Sequence, residues 1–130
     1  MSHIERAEAL RNDQTVHYNC AQAVLVAFAD EMGLSEEQAF GLGAHFGGGM
    51  RHGATCGAVT GALMVLGELG YNEKDAGCIL REFQQRHGAL DCAALLAQSR
   101  QRGEEKKAHC DGLVYELVQT LDALEEQEGS

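Results

Sequence analysis

The chain of 130 residues has no proline at all. Its apolar residues recur every three or four positions, with few β-branched alternations, so nothing forces a break in helical structure and strands are not expected. Long apolar runs are missing too. The longest stretch free of charged and histidine side chains, Gly53 to Gly67, falls short of the roughly 20 residues that span a bilayer, which removes a membrane partner. Residues 1 to 15 read as a polar amphipathic helix rather than a leader, so the expectation is a soluble cytoplasmic protein. Basic side chains are scarce: ten Lys and Arg against twenty Asp and Glu give a net charge of −10. A nucleic-acid backbone would be repelled, and the acid is read as a solvated outer face that aids solubility. Five cysteines occur, none of them in a Cys-x-x-Cys pair. An odd number in such a chain points away from a disulfide framework and toward reactive thiols or metal ligands.

What is present reads as an all-α, single-domain bundle of about six to seven helices, covering 1–130 without internal repeat. The first helix runs from about Ser2 to Asn12. Asn19 with Gln22 forms a capping pair for the second, whose apolar face is Cys20, Val24, Leu25 and Phe28, and Gly33 ends it. Ser35 with Gln38 repeats the pair for a third helix that runs toward His45 and Phe46. A fourth, about Ala54 to Leu69, is apolar nearly all round. It carries Gly57, Ala58, Gly61 and Ala62 at helical spacing, so it is expected to be the central helix, with neighbours packed closely on its small residues. Asn72 caps a fifth helix with the stripe Ala76, Ile79, Leu80 and Phe83. Asp91 caps a short sixth, and residues 98–107 read as a surface connection. The last helix faces inward with Cys110, Leu113, Val114, Leu117, Leu121 and Leu124, and its acidic tail, 125–130, is expected to fray.

Between the third and fourth helices lies Gly47-Gly48-Gly49-Met50-Arg51-His52-Gly53. Four glycines permit positive φ or close backbone approach, so the loop can wrap a ligand or serve as a tight turn. Without a following Lys-Ser/Thr it is not a phosphate-binding loop.

Four cysteines, Cys20, Cys56, Cys92 and Cys110, fall at or near predicted helix starts, where the dipole and unpaired amides favour a thiolate. If these starts converge, they suit thiolates, an anionic iron–sulfur cluster or zinc. No recognised metal-ligand spacing is present, and free cysteine also packs as a small hydrophobe, so chemistry and packing remain alternatives at this point. His17, His52 and His109 each stand within four residues of one of these thiols and are candidates for a mixed site or for proton transfer. His45 and His87 read as helix C-terminal caps. Cys78 lies opposite its helix's apolar stripe and reads as a surface thiol without a role.

With these residues in place, the chain resembles the family labelled C_GCAxxG_C_C, described as putative redox-active proteins. The matching elements are Asn19 to Val24, the Phe46-Gly47-Gly48-Gly49-Met50 loop, Thr55 to Ala62, Asp91-Cys92 and the late Cys110. The label's central element reads Gly-Cys-Ala, whereas this chain reads Cys56-Gly57-Ala58. The resemblance implies a helical domain in which Cys20, Cys56, Cys92 and Cys110 act together, through an iron–sulfur cluster or other metal, or through reversible thiol–disulfide chemistry. Gly47, Gly48, Gly49, Gly57 and Gly61 would then let backbone approach the cofactor or the sulfurs, and an electron-transfer protein is the partner such a module calls for. Two readings from other classes stand beside it. One is a non-catalytic helical module that forms a homodimer or docks on a redox partner. The other is a small-molecule enzyme with one low-pKa cysteine as nucleophile and a histidine as base.

Overall fold

The N-terminal half forms helices where its sequence supplies caps. A computed structural model describes residues 1–128. Helix α1 (His3–Arg11) starts at Ser2, whose hydroxyl accepts the Glu5 amide while the Glu5 carboxylate accepts the Ser2 amide. Asn19 and Gln22 make the same reciprocal pair at the start of α2 (Cys20–Ala27). After α3 (Ala29–Met32), Ser35 and Gln38 make it again for α4 (Glu36–Gly43). Each box satisfies two amides that a helix start leaves without partners.

Four further α-helices follow: α5 (Gly57–Glu68), α6 (Glu73–His87), α7 (Cys92–Gln101) and α8 (Lys106–Glu128). Counting the turn at Gly49–Gly53, which the Ala54 amide closes on the Gly49 carbonyl around non-helical backbone, the described residues hold nine helical elements and no strand, which confirms the all-α class and corrects the expected six to seven. Part of the excess arises at Phe28, where φ −106° and ψ 9° interrupt the second helix and split α3 from α2. The third helix also stops sooner than expected, at Gly43. The glycine loop supplies the remaining element. Helix α8 continues through the acidic run to Glu128; residues 129 and 130 of the expected frayed tail lie outside the described residues.

The hub of the bundle is α2, not α5. Seven of its eight residues are buried, and it packs against α1, α3, α4, α5 and α8. Helix α5 lies beside it, and the small-residue face is what lets the two backbones close. A Cβ built on Gly61 would stand 3.1 Å from the Ala21 carbonyl oxygen and 3.2 Å from the Val24 Cβ. Phe28, Leu25, Val59, Val65, Phe83, Val114, Leu117 and Val118 fill the core around this contact. No helix of the described residues is long and apolar enough to cross a membrane.

Candidate functional site

Three of the four cysteines stand where the sequence places them, at helix starts. Cys20 and Cys92 are the first residues of α2 and α7, and Cys56 is the N-cap of α5. Cys110 is the exception: it is the fifth residue of α8, one turn in. All four line a single cavity of about 460 Å³, together with Gly48, Gly53 and Gly57. Cys78 is exposed on α6, with its Sγ 3.8 Å from Glu82 Oε1, and takes no part.

A short antiparallel bridge, Thr55 opposite Asp91, fixes two of these thiols. The Cys56 amide donates to the Leu90 carbonyl at 2.8 Å, and the Cys92 amide donates to the Ala54 carbonyl at 2.6 Å. Side chains alternate along such a pair, so Cys56 and Cys92 project to the same side from diagonal positions, a relation that sets backbone positions roughly 7–8 Å apart across the two strands. A single bridge of this length leaves no period-two pattern to read in a sequence.

The glycine loop is built against this bridge. Gly48, Gly49, Met50 and Arg51 have φ of 62°, 65°, 57° and 68°, a run of four residues in the left-handed region. For Met50 and Arg51 this costs roughly 1–2 kcal/mol each, because their Cβ crowds the following carbonyl. Packing holds the loop there. A Cβ on Gly49 would lie 2.3 Å from the Ala54 carbonyl oxygen and 2.7 Å from the Cys92 Cβ, and one on Gly47 would lie 2.6 Å from the Asn19 Cβ. Of the five glycines expected at a ligand, Gly48 and Gly57 line the cavity. Gly47, Gly49 and Gly61 are taken up instead by close packing on Asn19, on Ala54 and Cys92, and on Ala21 and Val24.

The four thiols are not equivalent. Burial raises Cys56, only 4% exposed, to about 11, although the Val59 and Ala58 amides donate to its sulfur. Burial also raises Cys92, with the nearby Cys110 adding to the effect. Cys20 lies well above the ordinary thiol value, first because it is hydrogen-bonded to Cys110 and then because it is buried. Cys110 alone is lowered, to about 7: the Cys20 thiol hydrogen-bonds to it, and Arg11 and Lys106 stabilise its charge. The expected dipole-stabilised thiolate at every helix start is therefore corrected. A helix end contributes about 0.3–1 kcal/mol at an exposed site, less than the desolvation of a buried sulfur.

The cations around the thiols are not legible in the sequence. Arg11, 8% exposed, places Nε 2.6 Å from Asp111 Oδ1 and donates through Nη1 to the Tyr18 carbonyl at 2.8 Å. Arg100 and Lys106 also line the cavity, and no carboxylate does. The one available hint is Asp111, directly after Cys110 at the edge of the buried stripe. Among the histidines, His17 and His109 belong to the cavity wall, whereas His52 is exposed and outside it. His109, 6% exposed, has Nδ1 3.6 Å from Glu104 Oε1, and its Nε2 is buried without a partner. Its burial holds it below the ordinary histidine value. His45 is paired with Arg51, and His87 with Glu116.

The donor set discriminates between kinds of ligand. A tetrahedral zinc ion holds each sulfur at roughly 2.3 Å, and so brings the sulfurs within about 4 Å of one another. Among the described residues the only trio of His, Cys, Asp or Glu ligand atoms within 4.8 Å of each other is His3, Glu31 and Glu125, away from the cysteines. No three of the four sulfurs lie within 4.8 Å of one another. Residues 18–124, which contain all four, match a family described as "Putative redox-active protein (C_GCAxxG_C_C)". No curated protein and no solved structure matches the chain.

Proposed function

The chain belongs to the C_GCAxxG_C_C family, and from that premise we propose that it is a dithiol redox module in which Cys110 attacks and Cys20 resolves. The observation that carries this reading is the placement of Cys20 and Cys110 beside Arg11 in the wall of one cavity, where the two thiols perturb each other so that Cys110 is lowered to about 7 and Cys20 raised. A thiolate near neutrality is the efficient attacker in exchange, and a protonated neighbour is in place for the second step.

In that chemistry the Cys110 thiolate attacks one sulfur of a disulfide, forming a mixed disulfide and expelling the first thiolate. Cys20, after losing its proton, attacks the Cys110 sulfur and expels the second. The protein has then lost two electrons to the substrate, whose two thiolates take up the Cys20 proton and one proton from solvent and leave as two thiols. The reverse exchange with an external dithiol restores Cys20 and Cys110. Arg11 and Lys106 stabilise the attacking charge, and the reducing cytoplasm is the compartment in which such a pair stays ready.

A second reading is favoured by the four sulfurs around a cavity with cations and no carboxylate in its wall. Cys20, Cys56, Cys92 and Cys110 would hold an anionic iron–sulfur cluster, which supplies one-electron transfer when bound. A lone zinc ion fits the spread of the sulfurs less well.

The deciding experiment treats reduced protein with limiting 2-hydroxyethyl disulfide, quenches in acid and maps the peptides. A Cys20–Cys110 link is expected. Iron and acid-labile sulfide in fixed ratio to chain, in protein purified without oxygen, would move the four thiols to the second reading.

A further inference from the structure

The charge of the four-cysteine cavity is opposite to that of the chain. Twenty acidic side chains give the protein a net charge of −10, yet none of them lines this cavity, which has Arg11, Arg100 and Lys106 in its wall. Arg11 is engaged with Asp111. Arg100 and Lys106 have no carboxylate partner among the described residues, and the nearby Glu104 is held by Arg102 and Ser99. Lys106 is moreover the first residue of α8, a helix with no acid in its first turn. A cation at the positive end of a helix is disfavoured, and the only acids at this end, Glu104 and Glu105, precede the helix rather than lie in its first turn.

Two further features complete the site. Ala93, Leu95, Leu96 and Leu113 give the wall an apolar part. The buried Nε2 of His109, without a partner, belongs to a ring in the same wall. The volume of about 460 Å³ lies in the range of roughly 300–1,000 Å³ typical of small-molecule sites.

We propose that this cavity takes a small anionic disulfide, with the acidic group of the ligand on Arg100 and Lys106 and its sulfur at Cys110. The proposal rests on the dithiol reading and names its substrate class. The bound disulfide gains two electrons and two protons and departs as two thiols, leaving Cys20 and Cys110 joined.

The test compares the second-order rate at which Cys110 is consumed by three probes: glutathione disulfide, which is anionic, cystamine, which is cationic, and neutral 2-hydroxyethyl disulfide. The neutral probe corrects for any change in Cys110 itself, and far-UV circular dichroism reports that the variant is folded. The native protein should prefer glutathione disulfide over cystamine, and the Arg100→Ala/Lys106→Ala double variant should lose that preference by roughly tenfold. Added salt should erode the preference in the native protein as well. A preference unchanged in the double variant, or equal rates with all three probes, would overturn the substrate class while leaving the dithiol reading intact. No reaction of Cys110 with any probe would sink the dithiol reading first.

Discussion

Arg11 Nε stands 2.6 Å from Asp111 Oδ1, with the two side chains only 8% and 15% exposed, and this ion pair lies beside Cys110, the residue before Asp111. It ties α1 to α8, and it sets the charge at the attacking sulfur, because Arg11 lowers Cys110 while Asp111 raises it. The two partners should therefore shift the thiol in opposite directions. Alkylation of Cys110 by iodoacetamide should show a midpoint near pH 7 in the native protein. Arg11→Met should move that midpoint up by about one unit, and Asp111→Asn should move it down. Asp111→Asn leaves the buried Arg11 without its carboxylate and should lower stability by roughly 3–5 kcal/mol in chemical denaturation, whereas Arg11→Met leaves Asp111 paired with Lys107 and should cost less. A common direction of shift for the two variants would show that the pair acts on Cys110 only through the fold.

The dithiol pair predicts a distinct outcome for each thiol. Cys110→Ser should slow reaction with a neutral disulfide by at least about a hundredfold, since a hydroxyl does not replace the thiolate. Cys20→Ser should keep the first step and accumulate the mixed disulfide on Cys110, visible as the mass of one added half of the probe. The double variant should behave as Cys110→Ser does, because the two residues act in sequence on one reaction. Cys78→Ser should leave the rates unaltered. Mass spectrometry of quenched samples reads all four.

The sequence carries these positions unevenly. Capping boxes at Asn19/Gln22 and Ser35/Gln38 were legible because a cap is a local contact between residues three apart. The same locality let Cys20, Cys56 and Cys92 be placed at helix starts. Helix count was less legible: Phe28 interrupts a run with no proline or glycine at that point, and neither it nor its equally buried neighbours carry a local signal of the break. The identity of the hub was obscured for a related reason, since α2 and α5 are equally apolar and their enclosure depends on where α1 and α8 pack. Arg11 lies 99 residues from Cys110 in sequence, and no spacing rule reaches across that distance. The acidity of the chain pointed away from the basic cavity, because net charge says nothing about where the few cations are gathered.

A group of titrating side chains away from the thiols predicts a pH dependence of stability. Glu125 is raised from an ordinary 4.5 to about 7, first by burial and then by its hydrogen bond to Glu31 and that residue's charge. A carboxyl whose folded value exceeds its unfolded one contributes fully below about pH 4.5. That contribution is lost as the pH rises through about 7. Glu125→Gln removes the titration, so it should match the native protein at about pH 4.5 and exceed it at about pH 8. The side chain is partly solvated, which limits the gain to under about 1 kcal/mol, or a few degrees in Tm. Thermal unfolding at the two pH values checks both the sign and the window. Equal differences at the two would assign the effect to packing.

The left-handed loop predicts that one glycine is indispensable and one neighbouring side chain is a burden. At Gly49 the backbone has φ 65°, and an added Cβ would meet the Ala54 carbonyl oxygen at 2.3 Å and the Cys92 Cβ at 2.7 Å. Gly49→Ala therefore carries both a conformational penalty and a clash with backbone, and should cost more than about 2 kcal/mol. It should also push Cys92 away from the cavity, raising the rate at which that thiol is alkylated. Met50 has φ 57° but is 43% exposed, so its side chain returns little for the strain it imposes. Glycine at this position adds freedom to the unfolded chain, but relief of the left-handed strain, about 1–2 kcal/mol, outweighs that loss. Met50→Gly should therefore stabilise the fold by up to roughly 1 kcal/mol. Denaturation midpoints of the two variants should move in opposite directions from the native value. If Met50→Gly destabilised the protein, the side chain would be holding the loop against the cavity rather than merely tolerating its shape.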